Sequence, residues 1–121
     1  MGELITTTSS RGVFAAQIDK FEDGGSGFST PIEFTDCDVT LQLSGASQSS
    51  QTQLYRSTIY PGDNFNDGNW SPVDAVITGS VANGTPTAAV YRESDHAWWC
   101  VLVLGNTGGE LISSISGRQD V

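Results

Sequence analysis

The sequence predicts an all-β domain: a single antiparallel β-sandwich, Ig-like or jelly-roll-like, preceded by a polar N-terminal arm. Three observations carry that expectation. Apolar and polar residues alternate over short stretches, as where Val39, Leu41 and Leu43 interleave with Thr40, Gln42 and Ser44, the period-2 pattern of a half-buried strand. Turn-forming residues punctuate these stretches, with 14 glycines scattered rather than periodic. No segment longer than one turn repeats apolar residues at the spacing of a helical face, so helix is expected to be minimal. Two packed layers give each such strand a cover for its apolar face, and a closed barrel is the other arrangement that does so.

Taken in order, residues 1–12 (MGELITTTSSRG) are polar, rich in Ser and Thr and without sustained periodicity. They read as an arm that is disordered alone or ordered on a neighbour, leaving residues 13–121 as the sandwich domain. Val13–Ile18 is the first strand, and Phe21–Pro31 (FEDGGSGFSTP) reads as a loop. Ile32–Thr35 adds a short strand before Asp36, and Asp38 opens the alternating segment described above. A partner strand follows around Leu54 and Arg56, and a third begins at Trp70 and Val73 after a Gly/Asn/Asp-rich insertion. Asn83-Gly84 is the strongest hairpin signal in the chain, predicted to join Ala75–Val81 to Pro86–Arg92. His96–Gly105 (HAWWCVLVLG) is apolar on both faces, as expected for a strand covered twice. Leu111–Ser116 supplies the last of roughly seven or eight strands.

At 121 residues the chain has room for one core. Its net charge is −9, from 14 acidic side chains against five Lys or Arg (Arg11, Lys20, Arg56, Arg92 and Arg118) dispersed along the sequence. That distribution argues against nucleic acid, whose phosphates demand clustered cations. The start Met1-Gly2-Glu3 lacks the basic and apolar regions of a secretory leader, and the longest apolar run, Ala97–Leu104, is too short to span a bilayer. Synthesis and assembly in the cytoplasm, without a membrane partner, are therefore expected, a leader already removed from this numbering being the alternative. In that compartment Cys37 and Cys100 default to reduced thiols, a disulfide between facing sheets being the alternative.

Candidate sites are few. Asp63–Asn69 (DNFNDGN) partly fits a calcium loop, but Phe65 falls where a third-position oxygen ligand is required and Asp74 where a glutamate is usual. An Asx-rich connection is the preferred reading. His96, the one histidine, follows Ser94-Asp95, yet triad members converge from separate elements and no nucleophile elbow or metalloprotease motif is present. No catalytic residue, metal ligand or cofactor is assigned, and the chain is not expected to be an enzyme. Of the adjacent Trp98 and Trp99, alternation sends one to the core and leaves the other as an interface anchor or a sugar platform.

The succession VTLQLSG, TQLYRST and NWSPVD over residues 38–74 resembles small phage virion proteins, the head decoration or cement proteins. The positions that carry the resemblance are Leu41, Leu43, Ser44 and Gly45, then Leu54, Arg56 and Ser57, then Trp70, Pro72 and Val73. The loop Ile59–Asn69 and the spacer Gly45–Gln51 depart from the pattern. The resemblance implies a structural protein of the virion exterior, made in the host cytoplasm, which binds the major capsid protein and reinforces joints between shell subunits. It further implies a homotrimer, since symmetry multiplies weak contacts. Leu4 and Ile5 of the arm, with Trp98, Trp99, Val101 and Val103 of the doubly apolar strand, are the interface residues expected on that reading. A carbohydrate- or receptor-binding β-sandwich, such as a head or tail fibre domain, is the alternative.

Overall fold

The computed structural model describes residues 2–10, 14–60, 69–81 and 87–118. These form nine strands and no helix: β1 (Glu3–Ser10), β2 (Phe14–Phe21), β3 (Gly27–Phe28), β4 (Ile32–Gly45), β5 (Ser49–Ser57), β6 (Ser71–Pro72), β7 (Ile77–Gly79), β8 (Thr87–Thr107) and β9 (Leu111–Arg118). All pair antiparallel in one open sheet of order β1-β2-β9-β4-β8-β5-β6, with β3 on β8 and β7 on β5. The expected all-β, sandwich-like fold is what the chain adopts.

The sheet doubles over because its two longest strands serve both halves. β9 pairs with β4 only from Asp38 onward, whereas β5 pairs with β8 only from Trp98 onward. Between those regions lies a bulge, where Thr35 and Cys37 of β4 face His96 and Glu93 of β8. Asp36 occupies it with φ of 43°, in the left-handed region that Asp tolerates better than most residues. Opposite Asp36, β8 contributes two residues, Ser94 and Asp95. The side-chain alternation of β4 reverses there, so Phe34 before the bulge and Cys37, Val39, Leu41 and Leu43 after it are all buried. Bonds across the fold hold the halves together. Asn106 of β8 donates from Nδ2 to the carbonyls of Phe21 (3.2 Å) and Glu22 (2.8 Å) at the end of β2. Asp19 of β2 accepts from the Thr30 amide at 3.1 Å and its hydroxyl at 3.2 Å, just before β4.

One core results. Val39, Leu41 and Leu43 from β4, Leu54 from β5, Trp99, Val101 and Val103 from β8, and Leu111 and Ile115 from β9 share a single buried cluster. Gly117 of β9 marks its tightest point: a Cβ there would lie 2.4 Å from Phe34 Cδ1 and 2.9 Å from the Cys37 sulfur. Gly117→Ala therefore has to displace a buried ring, and thermal or urea unfolding is expected to show a loss of about 1–3 kcal/mol.

Several element expectations are revised. Ile32–Thr35 and the segment opened by Asp38 are one strand, β4, because the Asp36 bulge bends the ladder without ending it. Thr87–Arg92 of the expected Pro86–Arg92 strand and His96–Gly105 likewise merge into β8, Pro86 lying outside the described residues. The predicted hairpin between Ala75–Val81 and Pro86–Arg92 is not the pairing adopted: β7 joins β5 and the start of β8 joins β4. The Asn83-Gly84 turn itself lies outside the described residues. A turn dipeptide fixes a reversal of direction, not the strand that the chain joins afterwards. β4 and β5 are not partners either, since β8 runs between them. Residues 3–10, expected as part of an arm, are the edge strand β1, and the expected loop Phe21–Pro31 contains β3. β2 and β9 form where Val13–Ile18 and Leu111–Ser116 were predicted.

Candidate functional site

The end of β5, the middle of β8 and the start of β4 lie side by side, with Ser57 and Glu33 flanking Trp98 in register. Alternation then gives the two neighbouring tryptophans of β8 opposite fates. Trp99 points into the core and is 1% exposed, whereas Trp98 is only partly buried on the other face.

The chain leaving β5 completes an aromatic rim on that outer face. The buried Ser57 hydroxyl accepts from the Ile59 amide at 3.1 Å and donates to the Ile59 carbonyl at 3.2 Å, a side-chain turn that reverses the backbone. Tyr60 is thereby set against Trp98, with ring centroids 5.1 Å apart and planes inclined by 59°. Tyr60 is 63% and Ile59 50% exposed, which is unusual for side chains of their size. Beside the rim, His96 Nε2 lies 2.9 Å from Glu33 Oε2, and both side chains reach solvent.

The inner face of the same strands carries a polar network. Glu93 is 1% exposed and its carboxylate is fully engaged. Arg56 donates from Nε at 2.7 Å and from a terminal nitrogen at 2.8 Å, the Trp99 indole at 3.0 Å, and the Asp95 amide at 3.1 Å. Burial pushes the Glu93 pKa up, but the bonds from Arg56, Asp95 and Trp99 and the Arg56 charge outweigh it and hold the group below its ordinary value. Tyr91 extends the network, its ring 6.3 Å from that of Trp99 and its hydroxyl donating to Asp74 at 3.3 Å. Burial, then the Asp74 charge, raises the Tyr91 pKa. Asp74 is brought there by the segment after β6, which is bonded to β5 through Val73 N–H to the Leu54 carbonyl and Gln53 Nε2 to the Asp74 carbonyl, both at 2.9 Å.

The residues singled out from sequence are scattered by this geometry. Trp98 sits on the rim, but Trp99, Val101 and Val103 are consumed by the chain's own core and are not part of the surface a partner meets. Leu4 and Ile5 lie on β1, with Ile5 at a bulge between the pairings of Leu4 with Asp19 and Thr6 with Ile18; their side chains fall outside the described residues. Cys37 and Cys100 are both buried and free, and burial raises both thiol pKa values. Cys100 lies outside the main core cluster while Cys37 belongs to it. Asp36 and Asp38 both pair with Arg92, Asp38 at 3.3 Å. Residues 63–68 of the candidate calcium loop are outside the described set, and among the described residues no cluster of three metal-ligating side chains occurs. The sequence reading missed Tyr60 and the Arg56–Glu93 pair. A lone arginine in an otherwise uncharged strand was the available signal for the latter.

No family model and no curated protein matches the chain. Among solved structures, a mitogen from Yersinia pseudotuberculosis aligns over 88% of this chain and 86% of its own, at 12% identity and a TM-score of 0.42. A complex of accessory secretory proteins 1, 2 and 3 from Streptococcus pneumoniae aligns over 94% of this chain and 84% of its own, at 10% identity and a TM-score of 0.34.

Proposed function

We propose that the chain is a non-catalytic structural protein of a phage virion, a decoration protein that binds the outside of the head and strengthens contacts between subunits of the major capsid protein. The observation that carries this reading is an exposed aromatic rim set directly after the resembling segment of β5, whose Ser57 shapes it. Leu54 anchors β5 in the core, Arg56 ties it to β8, and Ser57 turns the chain so that Tyr60 meets Trp98. Tyr and Trp side chains open to solvent, as Tyr60 and in part Trp98 are, are the residue types that dominate protein interfaces. The surplus of 14 acidic over five basic side chains suits a basic patch on the shell. A sugar-binding platform is less well supported, because rings inclined by 59° cannot both lie flat on one pyranose face.

Undecorated heads incubated with the purified protein and imaged by cryo-electron microscopy are expected to carry extra density at regular symmetry positions. The double variant Tyr60→Ser/Trp98→Ala, folded by circular dichroism, is expected to leave them bare. Bare shells with the wild-type protein on its cognate head would overturn the proposal.

A further inference from the structure

The two ends of the sheet are finished differently. At one end, among the described residues, β5 carries only β6, two residues of which one is Pro72, and β7, three residues ending in Gly79. Short strands and proline are the usual means of making an edge unable to accept another strand. At the other end is β1, eight residues paired with β2 along one side. Its far side is engaged at the start, where the Gly2 amide donates to the Phe28 carbonyl at 2.9 Å, and the bulge at Ile5 interrupts the next step. From Thr6 to Ser10 the ladder to β2 is regular, and no described residue pairs with the opposite side. Residues 4–10 (LITTTSS) contain no proline, no glycine and no charge. None of the usual edge defences is present over Thr6–Ser10.

We propose that this edge is a self-association site, at which β1 of one copy pairs antiparallel with β1 of a second copy about a two-fold axis at Thr7. Three features favour a second copy as the occupant. A two-fold axis at Thr7 sets Thr6 of one copy against Thr8 of the other and, in sequence, Glu3 against Arg11, so opposite charges flank the axis. A net charge of −9 opposes the approach of two copies over most of their surface, and the uncharged stretch 4–10 is where that repulsion is least. Among the described residues each copy offers one such edge, so isologous pairing closes at two and does not propagate into a fibre. The product is a continuous sheet through both copies, whether or not the protein binds a phage head.

Sedimentation velocity of the full chain over about 1 µM to 1 mM tests this. The wild type is expected to shift with concentration from 12.8 kDa to twice that mass. Thr7→Lys and Thr7→Glu each place like charges opposite one another at the axis, and each is expected to weaken association by about tenfold or more. An equimolar mixture of the two is expected to recover the dimer, an outcome that damage to the fold would not produce. A wild-type monomer throughout the range, a trimer, Thr7 variants that associate like wild type, or a mixture that stays monomeric would each overturn the proposal.

Discussion

Arg56→Met is expected to destabilise the protein by about 3 kcal/mol at neutral pH, because removal of one partner strands the other charge in the interior. Glu93 is 1% exposed, and without the guanidinium it retains only the Trp99 indole and the Asp95 amide as donors. The value sits at the low end of what breaking a buried pair costs, since the Arg56 side chain is 34% exposed and water can reach the site it vacates. The effect has a defined pH signature. In the wild type the Glu93 pKa is lowered, so its contribution is present above the ordinary carboxylate value of 4.5 and is lost as pH falls through the folded value. In the variant, burial is no longer outweighed and the folded pKa rises above the unfolded one. The penalty then applies above that raised value and is relieved as pH falls. The gap between the two proteins, measured by urea unfolding, should be widest near pH 7 and narrow toward pH 4. A gap that is constant or grows on acidification would mean that the pair does not act as described. Arg56→Met/Glu93→Leu, which removes both charges, should recover most of the loss.

Trp99→Ala is expected to cost about 4 kcal/mol, within the range for deleting a large buried aromatic side chain. The indole is 1% exposed among Val101, Val103 and the β4 residues of the core, and it also donates to Glu93. Trp98→Ala, one residue away on the outer face, removes a ring that packs against the exposed Tyr60. Its cost in stability should be several-fold smaller, with the loss appearing instead in binding. Urea unfolding of the two variants side by side measures this directly. Equal destabilisation would mean that the two faces of β8 are not divided between core and rim. Trp99→Phe separates volume from hydrogen bonding, since it keeps a ring in the core and withdraws one donor from Glu93. A loss of about 1–2 kcal/mol is expected from that donor.

Strand identity was legible where one face alone is buried. Val39, Leu41 and Leu43 alternate in sequence and are each at most 1% exposed, because a period of two is a local geometric property of the chain. The long apolar run announced a strand covered on both sides, but apart from Cys100 only the alternate residues Ala97, Trp99, Val101 and Val103 are buried, and Leu104 is 47% exposed. The merger of neighbouring segments into β4 and β8 was not legible, since Asp36 reads as a polar break and turns out to occupy a bulge. The rim was half legible. Alternation required one of the paired tryptophans to leave the core, but the position of Tyr60 depends on a hydroxyl turn at Ser57 that has no distinctive sequence pattern. The Arg56–Glu93 pair joins residues 37 apart, and nothing local links them.

By itself, then, the sequence determined the class of fold, the residues that alternate into the core and a net charge of −9. These follow from side-chain periodicity and net charge, which are properties of short segments or simple sums. The tertiary structure alone decided which strands are neighbours. It inserted β8 between β4 and β5, withdrew Val101 and Val103 from any interface, and left β1 as the sheet's open edge. Strand pairing is a competition among many edges of similar hydrogen-bonding power, and its outcome rests on how all the apolar faces are covered at once.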